Sequence, residues 1–187
     1  MACWAPAEIA AADGVSMGSA RAPVTVVEYA SVGCPHCATW ERTVFPAFKK
    51  RFIDTGKVRF EFHEMLTGDP ELAAAGFLVA DCAPRDRFFQ VVNGILDDQV
   101  AIANGGSEAL FKVAQGAGLT HDQFKACLTN EKALKDLETR TEADAKAHGV
   151  NSTPTFIIGS RTLVGDQSLE QLATAIAGAH ARGRVRR

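Results

Sequence analysis

The chain has 187 residues, of which 47% are hydrophobic and 22% charged, and this composition predicts a globular protein with a sizeable core. Its formal net charge of −2 at pH 7 argues against a nucleic-acid partner, because binding phosphates requires a basic face. No apolar run reaches the roughly 18 residues that a membrane-spanning helix needs, so no span is predicted.

Residues 1–22 are predicted to be a flexible lead-in or the remnant of a signal peptide. Residues 8–23 are rich in Ala, Gly and Ser, and Ala5-Pro6-Ala7 resembles the end of a secretion signal, although no charged and apolar regions precede it. We therefore expect a trimmed or mis-started signal and a natural product that works outside the cytoplasm. The alternative is a disordered leader of no consequence.

Residues Val24–Ala30 predict a buried strand, because most of them are β-branched or apolar. Glu28 interrupts this strand, and a buried carboxylate is costly unless it is paired or has a task. Burial would raise its pKa, and from its place six residues before Cys34 it could relay a proton to or from Cys37. Alternatively, Glu28 faces solvent on a half-exposed strand.

The motif Cys34-Pro35-His36-Cys37 follows at the predicted start of a helix. We expect the first sulfur to be exposed at the helix end and the second to be partly covered, so that the pair can close a small disulfide ring. Unpaired N–H groups of the first turn and the helix dipole would stabilise a Cys34 thiolate. Pro35 suits the first helical position, and His36 can add a hydrogen bond or positive charge. A stabilised thiolate makes the disulfide a stronger oxidant.

Two other interpretations of this motif stay open. A C-x-x-C pair can be half of a zinc site, but zinc sites usually need a second pair of ligands at suitable spacing. The remaining cysteines, Cys3, Cys82 and Cys127, are widely separated, so no metal site is predicted. The pair could also be an inert structural disulfide.

A helix and a second strand are predicted after the motif. Apolar residues recur at helical spacing from Cys37 to Phe52, Pro46 should kink this helix, and Gly56 should end it. The residues Lys57–Phe62 alternate between polar and apolar, as expected for a strand. His63 is predicted to be a surface or strand-end residue.

The segment 67–149 contains no strand-like run and is predicted to be an all-helical insertion. Thr120 and Gln123 form a capping box that predicts a helix start, and Gly149 should end the last helix. Cys82 and Cys127 lie on different predicted helices. A disulfide between them would stabilise the folded insertion by about 2–4 kcal/mol. The alternative is two reduced core cysteines.

After the insertion, the pattern predicts a hairpin and a final helix within residues 150–180. Thr155–Gly159 reads as an apolar strand, and Arg161–Gly165 follows closely enough to form a hairpin with it. Ser168 and Gln171 predict the start of the last helix. Residues 181–187 are predicted to be a solvated basic tail.

The order of these elements resembles the thioredoxin fold with an all-helical insertion, an α/β class, with residues 23–66 and 150–180 forming its two parts. The resemblance is closest to the DsbA-like thiol:disulfide interchange proteins of bacterial envelopes. It covers roughly residues 17–179 and rests on four stretches of sequence: Ala22–Ser31, Cys34-Pro35-His36-Cys37, Thr55–Val58 and Val150–Phe156.

The resemblance implies a role for each site residue. Cys34 would be the nucleophile that forms a mixed disulfide with substrate, Cys37 would resolve it, and His36 would tune the Cys34 thiolate. Pro154 would be a cis-proline facing the dithiol, and Thr153 would offer backbone pairing to an extended substrate peptide. Glu28 matches the family's buried acid, and Cys82 and Cys127 match the second disulfide of one of its branches.

The implied function is an enzyme, a dithiol oxidase that introduces disulfides into exported proteins in the periplasm or cell envelope without a further cofactor. The implied partners are exported proteins with free thiols and a DsbB-type membrane protein that reoxidises the dithiol. Since the first predicted strand begins at Val24, we expect a monomer without the N-terminal dimerisation domain of related isomerases. The alternatives are a reductase or isomerase on the same scaffold, or a peptide-binding chaperone whose cysteines are incidental.

Overall fold

A five-stranded mixed sheet forms the centre of the protein, in a computed structural model that describes residues 14–185 and side chains as far as residue 181. The strands lie in the order β1-β3-β2-β4-β5, with β2 parallel to β3 and every other pair antiparallel. Their bounds are β1 Val15–Met17, β2 Val24–Ala30, β3 Val58–Glu64, β4 Thr155–Ile158 and β5 Arg161–Val164. The predicted α/β class is confirmed.

The core lies on the face of the sheet that carries the aromatic side chains. Phe60 of β3 and Phe156 of β4 are fully buried, and Trp40 packs on Phe156 with ring centroids 4.8 Å apart. Phe45 and Phe48 pack around the same indole at 5.6 and 6.0 Å. Burial of this much aromatic surface holds the helix after the cysteine motif against the sheet.

The helix predicted from Cys37 onwards is interrupted. It consists of α1 (Pro35–Thr43), α2 (Phe45–Phe48) and a π-helical turn over Lys49–Ile53. The break falls at Val44, two residues before Pro46, whose ring lacks an N–H and crowds the carbonyl of the preceding turn. The kink that we predicted from Pro46 is confirmed.

The insertion consists of helices, as predicted. They are α3 Pro70–Cys82, a 3₁₀ turn Arg85–Arg87, α4 Phe88–Asp97, α5 Gln99–Gly116, α6 His121–Leu128 and α7 Glu131–His148. Thr120 and Gln123 form the predicted capping box, and Gly149 ends α7 in the left-handed conformation with φ 66°. The Sγ atoms of Cys82 and Cys127 are bonded, so α3 and α6 are joined covalently.

Two segments differ from the prediction. Residues 15–17 form β1, antiparallel to β3, where we expected a flexible lead-in, because Val15 pairs with Phe62 and is only 9% exposed. The final helix, α8, runs from Leu169 to Val185 and so enters the predicted basic tail, since Ala and Arg both favour helix. Ala5-Pro6-Ala7, on which the expectation of a signal remnant rests, and Cys3 both lie outside the described residues.

Across residues 14–185, no helix combines the length and the apolar character needed to cross a membrane.

Candidate active site

Three loops meet at one end of the sheet, and the two cysteines lie between them. One loop follows β2, one follows β3 and one precedes β4. Because β2 and β3 are parallel and β4 is antiparallel to β2, all three loops lie at the same end of the sheet. Ser31 Oγ donates a hydrogen bond to the Thr67 carbonyl at 2.8 Å, and the hydroxyls of Thr67 and Thr153 are 2.6 Å apart. The cysteine loop is thereby held against both neighbours.

Glycine makes this close approach possible. A Cβ atom on Gly33 would lie 2.2 Å from the carbonyl oxygen of Asp69, and one on Gly68 would lie 2.1 Å from the carbonyl oxygen of Gly33. Asp69 N donates to Gly33 O at 2.9 Å across the same contact. Any side chain at Gly33 or Gly68 would push the two loops apart and displace Cys34, which follows Gly33 directly.

Cys34 stands at the N-cap of α1, and Pro35 takes the first helical position, as the sequence predicts. The pKa of the Cys34 thiol is lowered to about 5, chiefly by a hydrogen bond from the Cys37 thiol, against an opposing effect of burial. The Thr153 side chain and the backbone N–H groups of Cys37 and His36 add to the lowering. At neutral pH the Cys34 sulfur is therefore mainly a thiolate.

Cys34 is less accessible than predicted. The residue is only 6% exposed, because the loop before β4 covers it, and in the thiol form Cys34 Sγ donates to the Thr153 carbonyl at 3.5 Å.

Cys37 has the opposite character. It lies one turn into α1 at 1% exposure, and its pKa is raised well above the ordinary value, first by its hydrogen bond to Cys34 and then by burial. The charge of Glu28 raises the pKa of Cys37 further. The Cys34 sulfur is thus stabilised as an anion, whereas the Cys37 sulfur keeps its proton.

Glu28 is buried at 2% exposure, so the strand does not present it to solvent. Burial raises its pKa well above the ordinary value, and the negative charges of Glu41 and Cys34 raise it further. Glu41 lies one helical turn beyond Cys37 and has a pKa raised to about 8, mainly by burial and then by the charge of Asp97. Two buried carboxyl groups thus lie behind the dithiol.

The loop before β4 faces Cys34, and the peptide bond between Thr153 and Pro154 is cis. Its position is fixed on the β5 side by Gly165 N, which donates to Pro154 O at 2.8 Å. The carbonyl of Thr153 is the group that the Cys34 thiol contacts.

His36 is on the outer surface of α1, with 72% of its side chain exposed. Its Nδ1 lies 3.1 Å from Oδ2 of Asp166, which belongs to the loop between β5 and α8. This hydrogen bond and the carboxylate charge raise the pKa of His36, and the Cys34 thiolate raises it further. Both effects favour the protonated, positively charged form of the ring.

His63 lies at the end of β3, as predicted, but it is not a surface residue. It is buried at 8% exposure, with Nδ1 2.6 Å from Oδ2 of Asp144 on α7. Tyr29 OH donates to Oδ1 of the same carboxylate at 3.3 Å, and the rings of Tyr29 and His63 are 4.8 Å apart. A lone polar residue at a strand end carries no sign of a partner 81 residues away, which is why the sequence did not reveal this network.

Three residues at the site escaped the sequence analysis: Thr67, Asp166 and Glu41. Thr67 and Asp166 reach the site only through tertiary contacts, with Thr153 and His36 respectively, and none of the three residues belongs to a motif of its own. Glu41 alone left a usable signal, since it falls one turn after Cys37 on the apolar face of an amphipathic helix.

Within the described part of the chain, no cluster of three His, Cys, Asp or Glu side chains is placed to hold a metal ion.

The chain is similar to known proteins in both sequence and structure. A protein named as a candidate protein-disulfide oxidoreductase of Rickettsia conorii is 34% identical over 163 residues, which are 86% of this chain and 58% of that protein. The chain thus spans little more than half the length of that relative. Among solved structures, alpha-DsbA1 of Wolbachia pipientis matches with a TM-score of 0.80 at 21% identity, covering 92% of this chain and 93% of the other.

BdbD from Bacillus subtilis matches with a TM-score of 0.70 at 18% identity, over 90% of this chain and 93% of the other. At these identities the two structures establish the fold, which is that of DsbA-like proteins. The sequence model described as thioredoxin matches residues 10–177. Given this match over nearly the whole chain, the protein belongs to the thioredoxin family.

Proposed function

We propose that this chain is a thiol:disulfide oxidoreductase that works as a dithiol oxidase, introducing disulfides into exported proteins. The observation that carries the proposal is the contrast between Cys34, whose pKa is lowered to about 5, and the adjacent Cys37, whose pKa is raised. A stabilised thiolate favours the reduced protein, so the oxidised protein readily accepts two electrons from a substrate dithiol.

The reaction begins with the Cys34–Cys37 disulfide. A substrate thiolate attacks Cys34 Sγ, the bond between the two protein sulfurs breaks, and Cys37 leaves with the electron pair and takes up a proton. A second substrate thiolate then attacks the substrate sulfur of the mixed disulfide, and Cys34 leaves as a thiolate. The substrate loses two electrons and gains a disulfide, and the protein becomes a dithiol.

The neighbouring residues have supporting roles in this proposal. Glu28 exchanges the proton that Cys37 gains and loses, which its burial and raised pKa favour. Thr153 and Pro154 bind an extended substrate segment through the backbone of their loop, which lies against Cys34. His36 supplies positive charge next to the thiolate, and Pro35 starts the helix without an unpaired N–H.

The setting of this activity is also a proposal. The disulfide between Cys82 and Cys127 supports a place in the cell envelope, because disulfides persist in oxidising compartments. A DsbB-type membrane protein would reoxidise the dithiol, and the chain would act as a monomer.

The test uses the oxidised full chain and a short peptide with two cysteines, whose oxidation is followed by mass spectrometry. Cys34→Ser should abolish oxidation, because the chain can no longer form the Cys34–Cys37 disulfide that the substrate thiolate attacks. Cys37→Ser, a matched change one turn away, is instead mixed with the peptide in its disulfide form. The Cys34 thiolate should then break the peptide disulfide and accumulate as a mixed disulfide, because no Cys37 thiol is present to release the peptide.

Turnover that persists in Cys34→Ser would refute the assignment of the nucleophile. Peptide binding that survives alkylation of both thiols, without any oxidation, would favour the chaperone alternative. Rearrangement of a mispaired substrate at a rate above that of net oxidation would favour an isomerase.

A further inference from the structure

The loop between β5 and α8 is fixed in place next to the start of α1. Trp40 Nε1, on α1, donates to the Gln167 carbonyl at 3.0 Å. The buried side chain of Gln167 donates back to the carbonyls of Val164 and Gly165 at 3.0 and 3.1 Å. Asp166 lies between these anchored residues, so its backbone is held relative to the helix that carries the dithiol.

Asp166 meets His36 from this loop at 3.1 Å. An exposed ion pair between two freely moving side chains contributes little, because ordering both of them costs entropy. Here the backbones on both sides are fixed, which reduces that cost. The ionisable groups that act on His36 are Asp166 from this loop and Cys34 from the start of its own helix. The loop before β4, which also faces the dithiol, contributes the uncharged residues Thr153 and Pro154.

The Asp166 carboxylate and the Cys34 thiolate are not both present in every redox state of the protein. The Cys34 thiolate exists only when the dithiol is reduced, whereas in the disulfide and in the mixed disulfide its sulfur carries no charge. In those two states Asp166 alone holds the proton on His36. The final step of the proposed oxidation forms a thiolate on Cys34, and a cation already present would stabilise that leaving group.

We propose that Asp166 is a positioning residue that keeps His36 protonated in the oxidised protein and in the mixed disulfide, so that Cys34 leaves as a thiolate beside a cation. This inference rests on the proposed oxidase function. In the step concerned, the bond between the substrate sulfur and Cys34 breaks, a new disulfide forms in the substrate, and Cys34 keeps the electron pair. The proton on His36 is not transferred.

The first experiment is an NMR titration of the histidine ring protons in the oxidised full chain. The chain has five histidines, and His36→Ala identifies the signal of His36. Asp166→Asn should shift the titration of His36 to lower pH, and Asp166→Glu should restore part of the shift. Asp54→Asn is the matched control, since Asp54 is similarly exposed but pairs with Lys49 instead. An unchanged His36 titration in Asp166→Asn, or an equal shift in Asp54→Asn, would overturn the proposal.

The second experiment measures peptide oxidation between pH 5 and 9. In Asp166→Asn the rate should fall relative to wild type above the ordinary pKa of histidine, about 6.5, and should match wild type near pH 5, where His36 is protonated in both proteins. In the His36→Ala background the same change should have no effect. A loss that persists in that background would show that Asp166 does not act through His36, which would overturn the proposal.

The two experiments separate this inference from the proposed function. If wild type oxidises no peptide but Asp166→Asn still shifts the His36 titration, the oxidase function is overturned. The effect of Asp166 on the protonation of His36 is then still supported.

Discussion

Glu28 is a buried acid whose presence lowers the stability of the folded protein at neutral pH. It is a carboxyl group at 2% exposure, and burial raises its pKa well above the ordinary value. As pH rises above about 4.5, the unfolded chain releases this proton while the folded chain retains it, so the free energy of unfolding falls. The residue is therefore a cost at neutral pH, which the proposed proton exchange with Cys37 would explain.

Glu28→Gln should therefore stabilise the oxidised protein at pH 7 by about 0.5–2 kcal/mol, the usual gain from removing a destabilising functional group. At pH 4 the gain should be much smaller, because most of the glutamate is then neutral in both states. Urea unfolding at the two pH values measures the difference. The exposed change Glu138→Gln serves as control and should stay within about 0.5 kcal/mol at both. A Glu28→Gln variant that is equally stable to wild type at pH 7 would contradict this account.

At the scale of elements, helix α7 is attached to the sheet by polar contacts as well as by apolar packing. Arg140 Nη2 donates to Oε2 of Glu64 at the end of β3, at 2.6 Å, and also to Asp81 on α3. The Glu64 side chain is only 10% exposed, and burial raises its pKa while Arg140 lowers it. The guanidinium group therefore compensates two poorly hydrated carboxyl groups on different elements.

Arg140→Met should lower the free energy of unfolding by about 2–4 kcal/mol, since it preserves the aliphatic packing but leaves the two acids without their cation. The control is Arg59→Met, which removes a half-exposed pair with Glu61 on β3 and should cost less than about 1 kcal/mol. Urea unfolding at pH 7 measures both. Equal losses in the two variants would mean that the Arg140 contacts contribute no more than a surface ion pair.

The elements that the sequence predicted best are those whose signals are local. The apolar run of β2, the capping box at Thr120 and the left-handed Gly149 depend on a few neighbouring residues, and all three were found where expected. In contrast, β1 is a short segment that forms a strand only because β3 offers it a partner edge. Contacts such as His63 with Asp144 depend on the tertiary fold and leave no periodic pattern to detect.

The same distinction applies to the candidate site. The cysteine motif could be predicted because the chemistry requires those residue types in sequence, whereas the role of the threonine–proline pair followed only from the family resemblance. Asp166 could not be predicted, since it reaches His36 from 130 residues away, through a loop whose position depends on Trp40 and Gln167.

At the scale of the whole molecule, the redox state of the dithiol and the stability of the fold are linked. The folded protein holds Cys34 as a thiolate at a pH where the unfolded chain would hold a thiol, since the pKa of Cys34 is lowered from 9.0 to about 5. This contribution to the stability of the reduced protein is complete above about pH 9 and is lost as pH falls towards 5. The disulfide form lacks it, so folding favours reduction of the disulfide.

The most direct test of the central claim is the reduction potential of the Cys34–Cys37 pair, measured by equilibrating the full chain with glutathione. A Cys3→Ala variant prevents an additional thiol from forming mixed disulfides. We expect a potential of about −180 mV or higher, well above the value of about −270 mV for thioredoxin, because the Cys34 thiolate stabilises the reduced protein. A potential near −270 mV would contradict the account and would identify a reductase on the same fold.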